Sequence, residues 1–178
     1  MRRALLAGLV LAMGGCASAP PGSTHAPTAG EAAWAGRLGW QVAAAPGRPA
    51  QQASAGFELR GSAHRGSLEL STPLGTLIAR VHWQPGGAEL RTPDGSRSFD
   101  DLAGLSRAAF GGEEVPLQAL FDWLQGRPSA QAPHEARGSG FEQLGWFVDV
   151  STLASGVLTA SRAAEPKVTL RIRLEELP

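Results

Sequence analysis

Arg37-Leu38-Gly39-Trp40-Gln41-Val42 alternates residue by residue, placing Leu38, Trp40 and Val42 on one side and Arg37, Gly39 and Gln41 on the other. A side-chain period of two is the signature of a half-buried strand. The same period extends outward through Ala53, Ala55, Phe57 and Leu59 against Ser54 and Glu58, then through Leu68 and Leu70 against Ser67 and Glu69, with residues 61–65 turning between them. Leu77, Ala79, Val81 and Trp83 share one face of a further strand, and another is expected near residues 88–91. Thr92-Pro93-Asp94-Gly95 combines residues that set turn geometry. Strands following one another across turns predict an antiparallel meander.

The period then changes. Asp100 is positioned to cap a short helix carrying Leu102, Leu105 and Ala109 on one stripe, ended by Gly111-Gly112. A second helix opens with Pro116 in its first turn, places Leu117, Leu120, Phe121 and Leu124 at i, i+3, i+4 and i+7, and stops at Gly126 and Pro128. A polar loop is expected over residues 128–139, and returning strands over 141–143, 146–150, 157–161 and 168–174. An antiparallel sheet with one apolar face must cover it, and the two helices supply the cover. The fold class is therefore α+β, mainly β. A solid core and a sheet curled round a cavity share this periodicity, which does not separate them.

Ahead of the domain, Met1-Arg2-Arg3 is a basic start and residues 4–13 are an apolar run too short for a membrane span of about 20 residues. Gly14-Gly15-Cys16 resembles a bacterial lipobox, whose cysteine is lipidated and becomes the first residue of the mature chain. Residues 1–15 then form the signal peptide. Cys16, the only cysteine, is the expected lipid anchor, and acylation disposes of a thiol that has no partner. Residues 16–33, rich in Pro, Gly, Ser, Thr and Ala, bury too little to order themselves and are expected to be a tether. Residues 34–178 have the length of one domain with a single core.

Composition excludes several functions. The chain balances 16 basic against 16 acidic residues, and loss of Arg2 and Arg3 with the leader leaves a mild acidic excess. That argues against a nucleic-acid partner, whose affinity comes from neutralised phosphates. His25, His64, His82 and His134 are scattered singly, with no metal-binding spacing, no P-loop, no dinucleotide fingerprint and no nucleophile elbow. Asp100-Asp101 suits a helix N-terminus, and Glu113-Glu114 and Glu175-Glu176 suit solvated loops or termini. No enzyme chemistry is visible, and no cofactor is expected.

Three segments carry a resemblance. Gly36-Arg37-Leu38 lies in the opening strand. Pro73-Leu74-Gly75 stands at a hairpin tip. Residues 115–128, Val-Pro-Leu-Gln-Ala-Leu-Phe-Asp-Trp-Leu-Gln-Gly-Arg-Pro, are followed by Gln143-Leu144-Gly145-Trp146. The pattern P-L-x-x-L-x-x-W-L-x-G-x-P with a later Q-x-G-W, behind a lipobox-like cysteine, resembles the outer-membrane lipoprotein receptor LolB family. The chain departs from it in having no tyrosine in its later strands.

The resemblance implies an incomplete, strongly curved antiparallel β-barrel covered by short helices and enclosing an apolar cavity for acyl chains. Candidate lining residues are Trp40, Phe57, Leu59, Leu68, Leu70, Val81, Leu117, Leu120, Phe121, Leu124 and Trp146. It also implies a lipid-anchored, monomeric protein on the periplasmic side of the outer membrane. Such a protein takes lipoproteins from the soluble carrier LolA and inserts them into the inner leaflet without nucleotide hydrolysis. In the family, the leucine matching Leu74 assists incorporation into the membrane, so Pro73, Leu74 and Gly75 are the candidate membrane-insertion loop. A scaffold lipoprotein binding proteins rather than acyl chains would need no cavity. A lipid or cell-wall hydrolase would need a nucleophile and base in one pocket, and the sequence offers no such pair.

Overall fold

The computed structural model describes residues 32–110 and 112–175. The signal peptide, Cys16, the tether up to residue 31 and the tail from residue 176 lie outside the described residues. Six strands come first: β1 (Ala32–Val42), β2 (Gln51–Gly61), β3 (Gly66–Ser71), β4 (Leu77–Gln84), β5 (Gly87–Thr92) and β6 (Gly95–Phe99). Helices α1 (Leu102–Ala109) and α2 (Leu117–Trp123) follow, then β7 (His134–Arg137), β8 (Gly140–Gln143), β9 (Trp146–Asp149), β10 (Val157–Arg162) and β11 (Val168–Glu175). All eleven strands join one sheet in the order β6-β5-β4-β3-β2-β1-β11-β10-β9-β8-β7. Its ends, β6 and β7, do not pair with each other, so the sheet is open and not closed into a barrel.

The first and last strands of the domain meet at the middle of the sheet, β1 pairing antiparallel with β11 from Ala35↔Glu175 to Val42↔Val168. Gly36 belongs there for a steric reason: a Cβ on it would lie 2.0 Å from the Arg173 carbonyl oxygen. Ala32 and Ala33, assigned to the tether by composition, pair with Gly61 and Arg60 of β2.

One face of the sheet carries the core and both helices. Alternation identified this face through Leu38, Val42, Phe57, Leu59, Leu68, Val81 and Trp83, all buried, and Leu170 and Ile172 of β11 are buried on it too. Two strands escaped sequence reading. β6 and β7 expose nearly every residue and show no apolar period; backbone pairing with β5 and β8 places them, helped by Phe99 against the core and by the His134–Phe141 and Arg137–Glu142 contacts. The expected loop over residues 128–139 therefore contains an edge strand.

The cap of α1 also shifts by one residue. Asp101, not Asp100, accepts the Gly104 N–H at 2.7 Å, satisfying one of the free donors of the first turn. Ser106, buried in α1, donates its hydroxyl to the Val115 carbonyl at 2.8 Å and accepts the Val115 N–H at 2.7 Å. This fixes the start of α2 relative to α1.

Candidate functional site

Helix α2 occupies the centre of the apolar face. Its sequence predicts one buried stripe, yet Ala119 and Trp123 are buried alongside Leu117, Leu120 and Phe121, because the helix has neighbours on two sides. The Phe121 ring stands edge-on to Trp34 of β1 at 5.5 Å and to Trp83 of β4 at 5.9 Å. Trp123 meets Phe141 of β8 at 6.4 Å and Trp146 of β9 at 6.5 Å. Edge-on aromatic pairs at such spacings contribute about 0.5–1.5 kcal/mol each beyond area burial.

Between α2 and the sheet lies a void of about 20 Å³ lined only by apolar side chains. Six of the candidate lining residues are in its wall: Phe57, Leu59 and Leu68 from the sheet, and Leu117, Leu120 and Leu124 from the helix and its C-terminal cap. Leu38, Leu170, Ile172, Phe110 and Val115 complete it. Leu38 was legible in the alternation of β1, and Leu170 and Ile172 fall in the strand expected over residues 168–174. Phe110 and Val115 lie in the connection between helices, where no period marks them.

The remaining candidates are placed elsewhere. Trp40 is half-buried and edge-on to Phe110 at 6.4 Å, Leu70 is half-buried and Val81 is buried. Phe121 and Trp146 pack into the aromatic contacts already described. The void has room for about one water, so the expected acyl-sized cavity is not open in this structure: the side chains of the helix-bearing face fill the space. A long acyl chain enters only if the walls move apart.

The end of α2 is held by one amide. Gln143 Oε1 accepts the Trp123 Nε1–H at 2.9 Å and the Ser129 N–H at 2.8 Å, while Gln143 Nε2 donates to the carbonyls of Ser129 and Ala132, both at 2.7 Å. These bonds satisfy the buried groups of the loop that leaves the helix.

A buried carboxylate ties down the other connection. Glu113, between the helices, is 5% exposed and bonds Arg48 at 2.5 Å from the β1–β2 loop and Arg162 at the end of β10. Arg162 also lies over the Trp146 ring at 5.8 Å. Burial pushes the Glu113 carboxyl upward, but the two guanidiniums outweigh it and hold its pKa below the usual carboxylate value.

The hairpin between β3 and β4 ends in a closed turn. Gly75 donates its N–H to the Thr72 carbonyl at 2.9 Å, and Thr72 donates to the Thr76 carbonyl at 2.8 Å. Gly75 takes φ +82°, a value that suits glycine. Pro73, Leu74 and Gly75 are all exposed, and Leu74 is 94% exposed. Backbone bonds hold the turn, and the leucine side chain takes no part in them.

Known proteins resemble this chain over most of its length. The family model described as "Outer membrane lipoprotein LolB" matches residues 32–176. The Outer-membrane lipoprotein LolB of Bordetella petrii is 32% identical over 180 residues, covering 96% of this chain and 89% of its own. That of Thiobacillus denitrificans is 33% identical over 163 residues, with 84% and 82% covered. That of Chromobacterium violaceum is 29% identical over 154 residues, with 83% and 81% covered. A family model that matches nearly the whole described domain, with relatives 32% and 33% identical along most of their length, shows that the chain belongs to the LolB family of outer-membrane lipoproteins.

Proposed function

We propose that this protein accepts lipoproteins from the periplasmic carrier LolA and inserts them into the inner leaflet of the outer membrane, lodging their acyl chains between α2 and the sheet. The observation that carries the reading is the void at that position, walled entirely by apolar side chains at the centre of the domain. The curved half-barrel that such a site needs is supported by the aromatic contacts of α2. Strands β4 and β8 are seven neighbours apart in the sheet, a span of about 34 Å if flat at about 4.8 Å per strand. Phe121 and Trp123, two residues apart on one helix, nonetheless reach both.

Binding then requires the void to enlarge, and the chain offers a divided helical cover to move. α1 and α2 are short, are joined through Ser106 and Val115, and are latched to the strand ends through Glu113. Each methylene taken from water contributes about 0.8 kcal/mol. Transfer from one apolar site to another, and finally to a bilayer, therefore needs no nucleotide. LolB family members are non-catalytic, and among the described residues no cluster of His, Cys, Asp or Glu is arranged to hold a metal.

Cys16 in this reading is the acylated first residue and holds the domain at the membrane facing the periplasm, while Pro73-Leu74-Gly75 enters the bilayer to deliver cargo. A Cys16→Ala variant tests the division of labour. It is expected to be soluble, to remain a monomer and to take a lipoprotein from loaded LolA. A soluble, folded variant that takes nothing from the carrier contradicts the proposal.

A further inference from the structure

Four large apolar side chains are exposed among the described residues: Leu74, Leu77, Ile78 and Leu144. Strand registers aim the turns that carry Leu74 and Leu144 at one end of the sheet, and Leu77 and Ile78 begin the strand that leaves the first of these turns. The β3–β4 turn continues past Ser71, which pairs with Gly56, which pairs with Arg37. β1 runs from there toward Val42, so the turn points to the Val42 end. The β8–β9 turn lies beyond the pair Gln143↔Trp146. The neighbouring Phe147 pairs with Ser161, Ser161 with Thr169 and Thr169 with Gln41, so this turn points to the same end. The opposite end exposes no large apolar residue among the described residues.

Leu144 is the more unusual of the two tips. Leu144 at φ +54° and Gly145 at φ +77° have the two positive values of a type I′ turn, a position that favours Gly, which has no Cβ to crowd the carbonyl, or Asn and Asp, whose side chains bond locally, and that penalises leucine, which can do neither. It is the only non-glycine residue with positive φ among the described residues, and it is 53% exposed. A strained backbone that holds an apolar side chain in water needs a reason outside the fold. Between the two tips, the β1–β2 loop presents Ala43, Ala44, Pro46, Pro49 and Ala50 to solvent. Its one charge, Arg48, is engaged by Glu113.

We propose that Leu144 is a second bilayer contact, so that the protein meets the outer membrane with this whole end of the sheet, and not through one hairpin. The partner is a phospholipid surface, because the family is resident at the outer membrane and this end continues from the Leu74 hairpin. The inference rests on the membrane reading of Leu74.

The test uses the full lipid-anchored protein in vesicles of phosphatidylethanolamine and phosphatidylglycerol. Leu144→Cys, Leu74→Cys and, at the opposite end, Ala154→Cys are each labelled with an environment-sensitive fluorophore; acylated Cys16 does not react. Blue-shifted emission quenched by brominated acyl chains is expected at positions 74 and 144 and not at 154. Quenching at 74 alone overturns this inference and leaves the role of Leu74 standing. Quenching at neither 74 nor 144 overturns both, and equal quenching at 154 overturns the oriented contact. Leu144→Asn separates function from strain: asparagine tolerates the turn, so its Tm should rise, with uptake unchanged and release into membrane slowed several-fold. A raised Tm with normal release overturns the proposal.

Discussion

The indole Nε1–H of Trp123 donates to Gln143 Oε1 at 2.9 Å, joining α2 to β8 across 20 residues of chain. The same glutamine closes the loop that the helix opens, through Ser129 and Ala132. It also sets a prediction. Gln143→Leu keeps the volume but leaves the Trp123 N–H, the Ser129 N–H and two carbonyls without partners. Each buried orphan costs about 1–3 kcal/mol, so a loss of roughly 3 kcal/mol or more is expected in urea unfolding. A change below about 1 kcal/mol, within the range of ordinary surface substitutions, would show that water replaces these bonds.

Glu113 predicts an acid-sensitive domain. Its folded pKa lies below the ordinary value of 4.5, so the unfolded state binds more protons in the window from about 4.5 downward. Stability from this group is present above that window and is lost as pH falls through the folded value. Glu113→Gln should cost on the order of 3 kcal/mol at pH 7, the scale for breaking a buried ion pair. It should also flatten the acid limb of the stability curve. Parallel acid limbs for the two proteins would remove Glu113 from the account.

Leu74 predicts a separation of stability from delivery. Because Gly75 and Thr72 close the turn through the backbone and Leu74 is exposed, Leu74→Glu should change stability by less than about 0.5 kcal/mol. Transfer from the carrier should stay normal, while incorporation into outer-membrane lipid slows sharply. Normal incorporation by the folded variant would assign Leu74 to the turn alone.

Much of the fold was legible because burial on one face writes itself as alternation. Leu38 and Trp40 in β1, and Phe57 and Leu59 in β2, mark their strands and the side that meets α2. β6 and β7 were not legible, since their residues are exposed and backbone pairing leaves no pattern in side chains. Of the residues that wall the void, Phe57, Leu59 and Leu68 were visible as an apolar face through strand alternation, and Leu117, Leu120 and Leu124 through the helix period. Phe110 and Val115 were missed because their positions depend on the Ser106 bridge, which joins residues with no shared period. Glu113 had been read as a solvated loop residue, and the two arginines that bury it are distant in sequence. The size of the void was also hidden, because alternation identifies an apolar wall and says nothing of the gap between walls.

The most direct measurement of the account is to load LolA with a lipoprotein carrying a photoreactive group near the end of an acyl chain, transfer it to this protein, irradiate and map the adducts. The account predicts adducts on the wall of the void, at Leu59, Leu68, Leu120 or Leu124. They should disappear with Leu120→Glu in a variant shown to be folded. Transfer with adducts confined to the outer face of the sheet, at Gln52, Thr169 or Arg171, would contradict it.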